Sequence, residues 1–251
     1  MNLKQQIVMM AYNAGGGHIP SALSILPIVS ALYNGVMEPD DRFVLSKGHG
    51  CLALYAVLAE KGLITQEHLT NYAKYGSILG GHPDRKKVPG VLCSTGSLGH
   101  GLPQAVGIAL AKKIKGEAGR VYCLVGDGEC NEGSVWEAAL VASHHKLDNL
   151  TIIVDYNHST DRAIDLGDLG KKFGAFGFFV YNKIETINLA FEPSVLSFSL
   201  RHGLRSIAID GPVAVIINTK KGDGCQRMSD PAWHHRAPTA AELEEILKEL
   251  E

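Results

Sequence analysis

The stretch "VGDGECNEGSVWEAALVASHHKLDNLTIIVDYNHS" (residues 125–159) puts a glycine-flanked aspartate, Asp127, at the end of one apolar run and an asparagine, Asn157, at the end of the next. The first run, RVYCLV (120–125), is short and apolar and reads as a buried strand. Residues 134–147 then carry Val135, Ala138, Ala139, Ala142 and Leu147 at roughly helical spacing, with Trp136 and the alanines expected in the core. The run LTIIVD (150–155) reads as a second strand. A right-handed crossover makes two such strands parallel. The same reading outward gives a strand at 213–218 and helices at 21–33, 49–61, 103–115 and about 186–204. A Thr-capped surface helix is expected within 239–251. Short β-branched runs alternating with helices predict an α/β fold, a parallel sheet flanked by helices on both faces.

In such a sheet Asp127 and Asn157 leave the carboxyl ends of strands, the edge at which open α/β sheets bind ligands. A carboxylate and an amide oxygen are hard donors that suit Mg²⁺ or Ca²⁺ better than zinc. The flanking Gly126 and Gly128 let the backbone approach a phosphate. The residues thus describe a divalent ion holding a diphosphate.

The remaining bounds narrow the class. The chain has 251 residues and a net charge of −2, with Lys and Arg scattered, which argues against a nucleic-acid surface. No apolar run approaches a membrane span, and the N-terminus carries no signal-peptide pattern. Its 5 cysteines include no C-x-x-C pair, so neither a disulfide framework nor a zinc knuckle is expected, and a reducing cytoplasm fits. No repeat or low-complexity linker divides the chain, which reads as a single domain over 1–251.

The spacing from Asp127 to Asn157 resembles the diphosphate-binding motif of thiamine diphosphate enzymes, which runs from G-D-G to N. Four further segments select among them. "GGGHIPSALS" (15–24) is similar to G-H-P-G-x-x-L-S, with Ile19 and Pro20 after His18 where Pro and Gly are usual. "DRFVLSKGHGCLALYAVLAEKG" (41–62) resembles the transketolase segment around S-K-G-H. "GGHPD" (80–84) matches a third histidine motif. "STGSLGHGLPQAVGIALAKK" (94–113) is similar to T-G-S-L-G-Q-G, with His100 in place of Gln. The four occur in family order, and the resemblance covers most of residues 10–180. The chain is identified as the N-terminal, cofactor-binding part of a transketolase.

The resemblance implies a thiamine diphosphate-binding fold with thiamine diphosphate and Mg²⁺ (or Ca²⁺) as cofactors. The side chains of Asp127 and Asn157 and the carbonyl of Ser159 would hold the metal, with Gly126 and Gly128 beside the diphosphate. Gly96 and Leu98 would meet the cofactor through their backbones. His18, His49 and His82 would line the pocket near the substrate hydroxyls, His49 also touching the cofactor. From "PAWHHRAP" (231–238), His234 is preferred over His235 for its place after Trp233, contacting diphosphate or substrate. Glu132 matches a glutamate at the subunit contact, whereas Glu129 has no match and reads as a solvated turn residue. His68, His144, His145 and His202 are expected on helix surfaces.

The reaction implied is transfer of a two-carbon ketol unit from a ketose to an aldose, in which imidazoles move protons and hold oxyanions near neutral pH. Nothing after residue 220 resembles the pyrimidine-binding domain that supplies the activating glutamate. The resemblance therefore implies half of a split enzyme, partnered by a C-terminal transketolase subunit in a heterotetramer. After "KKFGAFGFF" (171–179) the expected substrate-mouth turn is absent, so an unusual sugar is expected, deoxy, amino, sulfo or branched. Three alternatives stand beside this reading. A 2-oxo acid dehydrogenase-like chain would not be expected to carry S-K-G-H and G-G-H-P-D together. A non-catalytic module predicts broken metal ligands. A dinucleotide binder would want G-x-G-x-x-G.

Overall fold

The computed structural model describes residues 1–161, 163–185 and 210–251. These group into two compact units. One comprises Met1–Ser30, Gly48–Gly96 and Lys220–Glu251, and the other Ala31–Lys47 and Ser97–Thr219.

The second unit holds the sheet. Among the described residues its strands are β1 (Arg42–Leu45), β2 (Val121–Gly126), β3 (Leu150–Tyr156), β4 (Phe179–Glu185) and β5 (Val213–Asn218). They lie in the order β1-β2-β3-β5-β4, and every pairing is parallel. The register sets Leu45 beside Leu124, Gly126 beside Asp155 and Tyr156 beside Asn218. Every residue of β2 is buried, as is all of β3 except half-buried Tyr156, as expected for the interior of a parallel sheet. Helix α5 (Gly101–Lys115) packs on β2, on neighbouring strands and on α6 (Gly133–His144), while α7 (Leu169–Ala175) packs on β4 and β5. Trp136 of α6 stacks with Phe173 and Phe176, centroids 5.0 and 5.2 Å apart.

The first unit is helical. It is built from α1 (Leu3–Ala14), α3 (Cys51–Glu60), the short α4 (Gln66–Thr70) and α8 (Ala240–Glu249), with α1 packed on the other three. Helix α2 (Ile19–Ala31) starts in this unit and continues into a wider turn at Leu32–Val36. Together Ile19–Val36 are long and apolar enough to cross a membrane, yet most of the stretch is buried inside the protein, as a core helix is. Asn2 caps α1 by accepting from Gln5 N and also donates to the carbonyl of Leu250, tying α1 to the end of α8. Helix α8 opens with the expected threonine cap: the side chains of Thr239 and Glu242 form a reciprocal capping box.

The expected strands and helices appear within one to three residues of their anticipated ends, and 213–218 matches β5. Helices α1, α4 and α7 and strands β1 and β4 are additions to the elements expected from the sequence. The helix expected at about 186–204 lies outside the described residues.

Candidate functional site

In the sheet unit the parallel strands deliver Ser46 and Lys47, Asp127, and Asn157 from the carboxyl ends of β1, β2 and β3. Asp127 is 3% exposed. Its backbone N–H donates to Asp155 O at 3.1 Å, and its Oδ1 accepts from Gly128 N at 2.8 Å. Its Oδ2 is buried and has no hydrogen-bond partner. Burial first, and then the charge of Asp155, hold its carboxyl above the usual range. An orphaned, desolvated carboxylate oxygen is an arrangement that a cation would satisfy.

Asn157 is oriented by Asp155. Its Nδ2 donates to Asp155 Oδ2 at 2.9 Å, which fixes which end of the amide is oxygen, and that Oδ1 accepts from Ser159 N at 3.1 Å. A second lone pair on the oxygen is left for a metal. Asp155 itself is wholly buried and also accepts from Lys47 Nζ and Thr219 Oγ1. Among the described residues no three His, Cys, Asp or Glu side chains gather as a metal site. A cation here would be held by one carboxylate with amide and carbonyl oxygens, a set that fits Mg²⁺ or Ca²⁺ bound with a diphosphate. Asp127, Asn157 and the Ser159 carbonyl would hold that ion, with Gly126 and Gly128 on either side of Asp127.

Two expectations need correction or extension here. Glu129 is not a solvated turn residue. It is 1% exposed and accepts from Ser46 Oγ, Gly99 N and Gly126 N. Lys47 and Asp155 are neighbours of the candidate site that sequence reasoning misses; the signal is a lysine and an aspartate placed at the ends of apolar runs. Glu132 is exposed at the start of α6, as a subunit contact would require, and the Leu98 carbonyl lies 3.1 Å from His100 Nδ1.

In the helical unit five imidazoles converge. The His18 ring lies 4.5 Å from His235, 5.1 Å from His234, 5.4 Å from His49 and 6.3 Å from His82, between centroids. His49 sits in the single turn Gly48–Gly50 that leads into α3. His82 follows two carbonyls held by α3: Tyr55 Oη donates to Gly80 O at 3.0 Å, and Cys51 Sγ to Gly81 O at 3.1 Å. Gly96 closes on the His82 ring. At φ +151° a Cβ there would stand 3.0 Å from the ring, so glycine is required both by the backbone and by the close approach. His234 and His235 come from the turn after Trp233, and both reach His18, so the preference for His234 alone finds no support in the distances.

Burial and then the charges of His235, His234, His82 and Lys221 push the His18 pKa down to about 4. Burial, then His235, lowers that of His82, and burial, then Lys221, lowers that of His234. Lys221 Nζ lies 3.3 Å from His234 Nδ1. An ammonium can only donate, so Nδ1 accepts and Nε2 carries the proton. Neutral imidazoles of this kind can donate to, or accept from, sugar hydroxyls at pH 7. His68 instead caps α4, His144 and His145 are exposed at the end of α6, and His158 pairs with Asp161 at 2.7 Å. His202 lies outside the described residues.

Residues 6–192 match the family described as "Transketolase, thiamine diphosphate binding domain". The chain belongs to the transketolase family. It is 40% identical over 97% of its length to an apulose-4-phosphate transketolase subunit of Actinobacillus succinogenes, of which it covers 91%. It is 35% identical to the 6-deoxy-6-sulfo-D-fructose transketolase subunit SqwG of Clostridium sp., covering 86% of that chain, and 37% identical to human transketolase, covering 39%. Among solved structures, transketolases from Pichia stipitis and Leishmania mexicana superpose on it with TM-scores of 0.87 and 0.86, each at 26% identity, over 99% of this chain and 39% and 40% of theirs. The parallel sheet with flanking helices is thus the transketolase thiamine diphosphate-binding fold, and the cofactor is thiamine diphosphate with a divalent cation such as Mg²⁺ or Ca²⁺.

Proposed function

We propose that this chain is the diphosphate-binding half of a two-chain transketolase, which passes a two-carbon ketol unit from a ketose to an aldose. The observation that carries this is the likeness to relatives named as subunits, over nearly the whole of their chains. The chain covers 91% and 86% of relatives named as subunits, but 39% of human transketolase. A partner chain would bring the pyrimidine-binding domain and its activating glutamate, with Glu132 at the contact, in a heterotetramer. The relatives named for apulose-4-phosphate and for 6-deoxy-6-sulfo-D-fructose support a modified or phosphorylated sugar as donor. The 5 cysteines, all buried, fit a reducing cytoplasm.

Thiamine diphosphate, when bound, supplies the carbanion and the electron sink for cleaving the C–C bond. The chain's own part is to hold and to move protons. Asp127, Asn157 and the Ser159 carbonyl hold the cation, and the backbones of Gly96 and Leu98 with His49 hold the cofactor. His18, His49 and His82, with His234 or His235 beside them, would take a proton from the sugar hydroxyl and stabilise the developing oxyanion. The test is to purify this chain alone, the neighbouring gene product alone and the two together, and assay ketol transfer over a panel of ketoses with Mg²⁺ and thiamine diphosphate. Activity only in the mixture is expected. Full activity of the single chain would overturn the two-chain reading.

A further inference from the structure

Glu129 follows Asp127 by two residues, yet its side chain turns inward. Its two carboxylate oxygens take donors from three separate segments. Ser46 Oγ and Gly99 N donate to Oε1 at 2.5 and 2.9 Å, and Gly126 N donates to Oε2 at 3.3 Å. Ser46 follows β1 and precedes Lys47. Gly99 follows Leu98 ahead of α5. Gly126 ends β2 and immediately precedes Asp127. Three of the segments that the family resemblance attaches to the cofactor thus meet on one side chain.

The chemistry suits a carboxylate and little else. An ionised carboxylate only accepts, so all three donors are served without opposing hydrogens. Hydrogen bonds to an ionised acceptor are roughly twice as strong as neutral ones. The approach of Gly99 is close: at φ +79° a Cβ there would lie 2.5 Å from Ser134 Oγ and 2.6 Å from Glu132 Cβ. Glutamine at position 129 would keep one oxygen but turn an NH₂ toward a donor. Aspartate would be one methylene too short to span the three segments.

We propose that Glu129 is a positioning residue for cofactor binding: its carboxylate clasps the Ser46, Gly99 and Gly126 segments and so holds Asp127 and the Leu98–Gly99 backbone where the diphosphate and its cation bind. The proposal rests on the reading of Asp127 and Leu98 as cofactor contacts. Glu129 is assigned no metal contact: its side chain is 1% exposed and turned inward onto the Ser46, Gly99 and Gly126 donors. Its effect reaches the cofactor through the backbone it fixes.

The experiment uses the full chain with its partner chain, as wild type, Glu129→Gln and Ser46→Ala. Thiamine diphosphate is titrated at fixed Mg²⁺ and followed by quenching of tryptophan fluorescence. Ketol-transfer kinetics are then measured against cofactor concentration. Glu129→Gln should weaken thiamine diphosphate binding by about 10- to 100-fold, the usual range for residues that support a metal site from behind its ligands. Ser46→Ala removes one donor and keeps the carboxylate, so a loss of about 3- to 10-fold is expected, a fraction of that range. In both variants kcat at saturating cofactor should stay within about threefold of wild type, the defect appearing in the KM for cofactor. Affinity within about twofold of wild type in a folded Glu129→Gln protein would overturn the proposal. So would a fall in kcat with an unchanged KM for cofactor, which marks a lost transition-state interaction or a loss of folded protein and not a loss of cofactor positioning. Should Glu129→Gln not fold, Ser46→Ala carries the same decision. A wild-type pair that binds no thiamine diphosphate overturns the cofactor reading itself, and the wild-type titration tells that failure from failure of the clasp.

Discussion

The Lys47 ammonium and the Asp155 carboxylate form an ion pair sealed from solvent, with side-chain exposures of 1% and 0%. The pair spans β2, joining the second residue after the edge strand β1 to the third strand. Removing one member strands the other charge in the interior, which costs about 3–5 kcal/mol. Lys47→Met is therefore expected to lose most of that amount in urea unfolding. Combining it with Asp155→Asn should recover part of the loss, since no unpaired charge remains. A single Lys47→Met variant within about 1 kcal/mol of wild type would contradict the burial on which this rests.

Asp127 invites the opposite expectation for the protein without its cofactor. Its carboxyl is held above the usual range by burial and by Asp155. Its ionised form therefore weighs against the fold, a penalty that builds as pH rises from the ordinary carboxylate value to the shifted one and is constant above it. Asp127→Asn should melt at or above the wild-type temperature when neither Mg²⁺ nor thiamine diphosphate is present. Adding both should stabilise wild type, by about 2.7 kcal/mol at a hundredfold excess over Kd, and leave the variant unmoved. Equal stabilisation of the two proteins would remove Asp127 from the metal site.

What can be read in the sequence is whatever local pattern dictates. The runs at 120–125, 150–155 and 213–218 are mostly apolar because their strands are buried, and the glycine-flanked histidines mark turns. Strand β1 is only four residues long, and RFVL runs straight into the S-K-G-H segment. Strand β4 carries Tyr181 and Asn182 in its middle and a register shift between Tyr181 and Ile184, so it lacks a strand's alternation. Helix α1 presents Ile7, Val8, Met10 and Ala11 to the core, but at the head of a chain LKQQIVMMAYNA reads first against a signal peptide. Glu129, Lys47 and Asp155 are out of reach for another reason. Whether a charged side chain beside a turn points outward or inward depends on partners that the fold brings from far along the chain, 83 residues away for Ser46 and Glu129. The same holds for His235, which sequence alone cannot separate from His234.

Tyr55 reports on the loop before His82. Its hydroxyl donates to Gly80 O, one turn of α3 beyond the Cys51 thiol that donates to Gly81 O. Tyr55→Phe keeps the ring and leaves that carbonyl only the long contact from the Cys51 thiol at 3.8 Å, for a stability loss of about 0.5–1.5 kcal/mol. If His82 acts on the substrate, turnover should fall further than stability implies, by about 3- to 100-fold, because small misplacements of reacting groups are costly. Unchanged turnover in the Tyr55→Phe protein, assayed with its partner chain, would show that the His82 loop does not depend on this bond.

The crowding of imidazoles around His18 sets a pH dependence with a definite sign. Burial and the neighbouring His235, His234, His82 and Lys221 lower its pKa from 6.5 to about 4. A base with a depressed folded pKa binds its proton more tightly when unfolded. Its contribution is therefore neutral above about pH 6.5 and turns against the fold as pH falls from there toward about 4, below which it is constant. The chain without cofactor should accordingly lose stability over that interval. His18→Gln, which cannot take up the proton, should lose less, with a residual slope from His82 and His234, whose pKa values are lowered in the same direction. Urea unfolding of both proteins at half-unit steps between pH 7 and pH 4 gives the comparison. Superimposable profiles would mean that His18 titrates in the folded chain as it does in the unfolded one, and that the five rings do not form the tight, desolvated array seen around it.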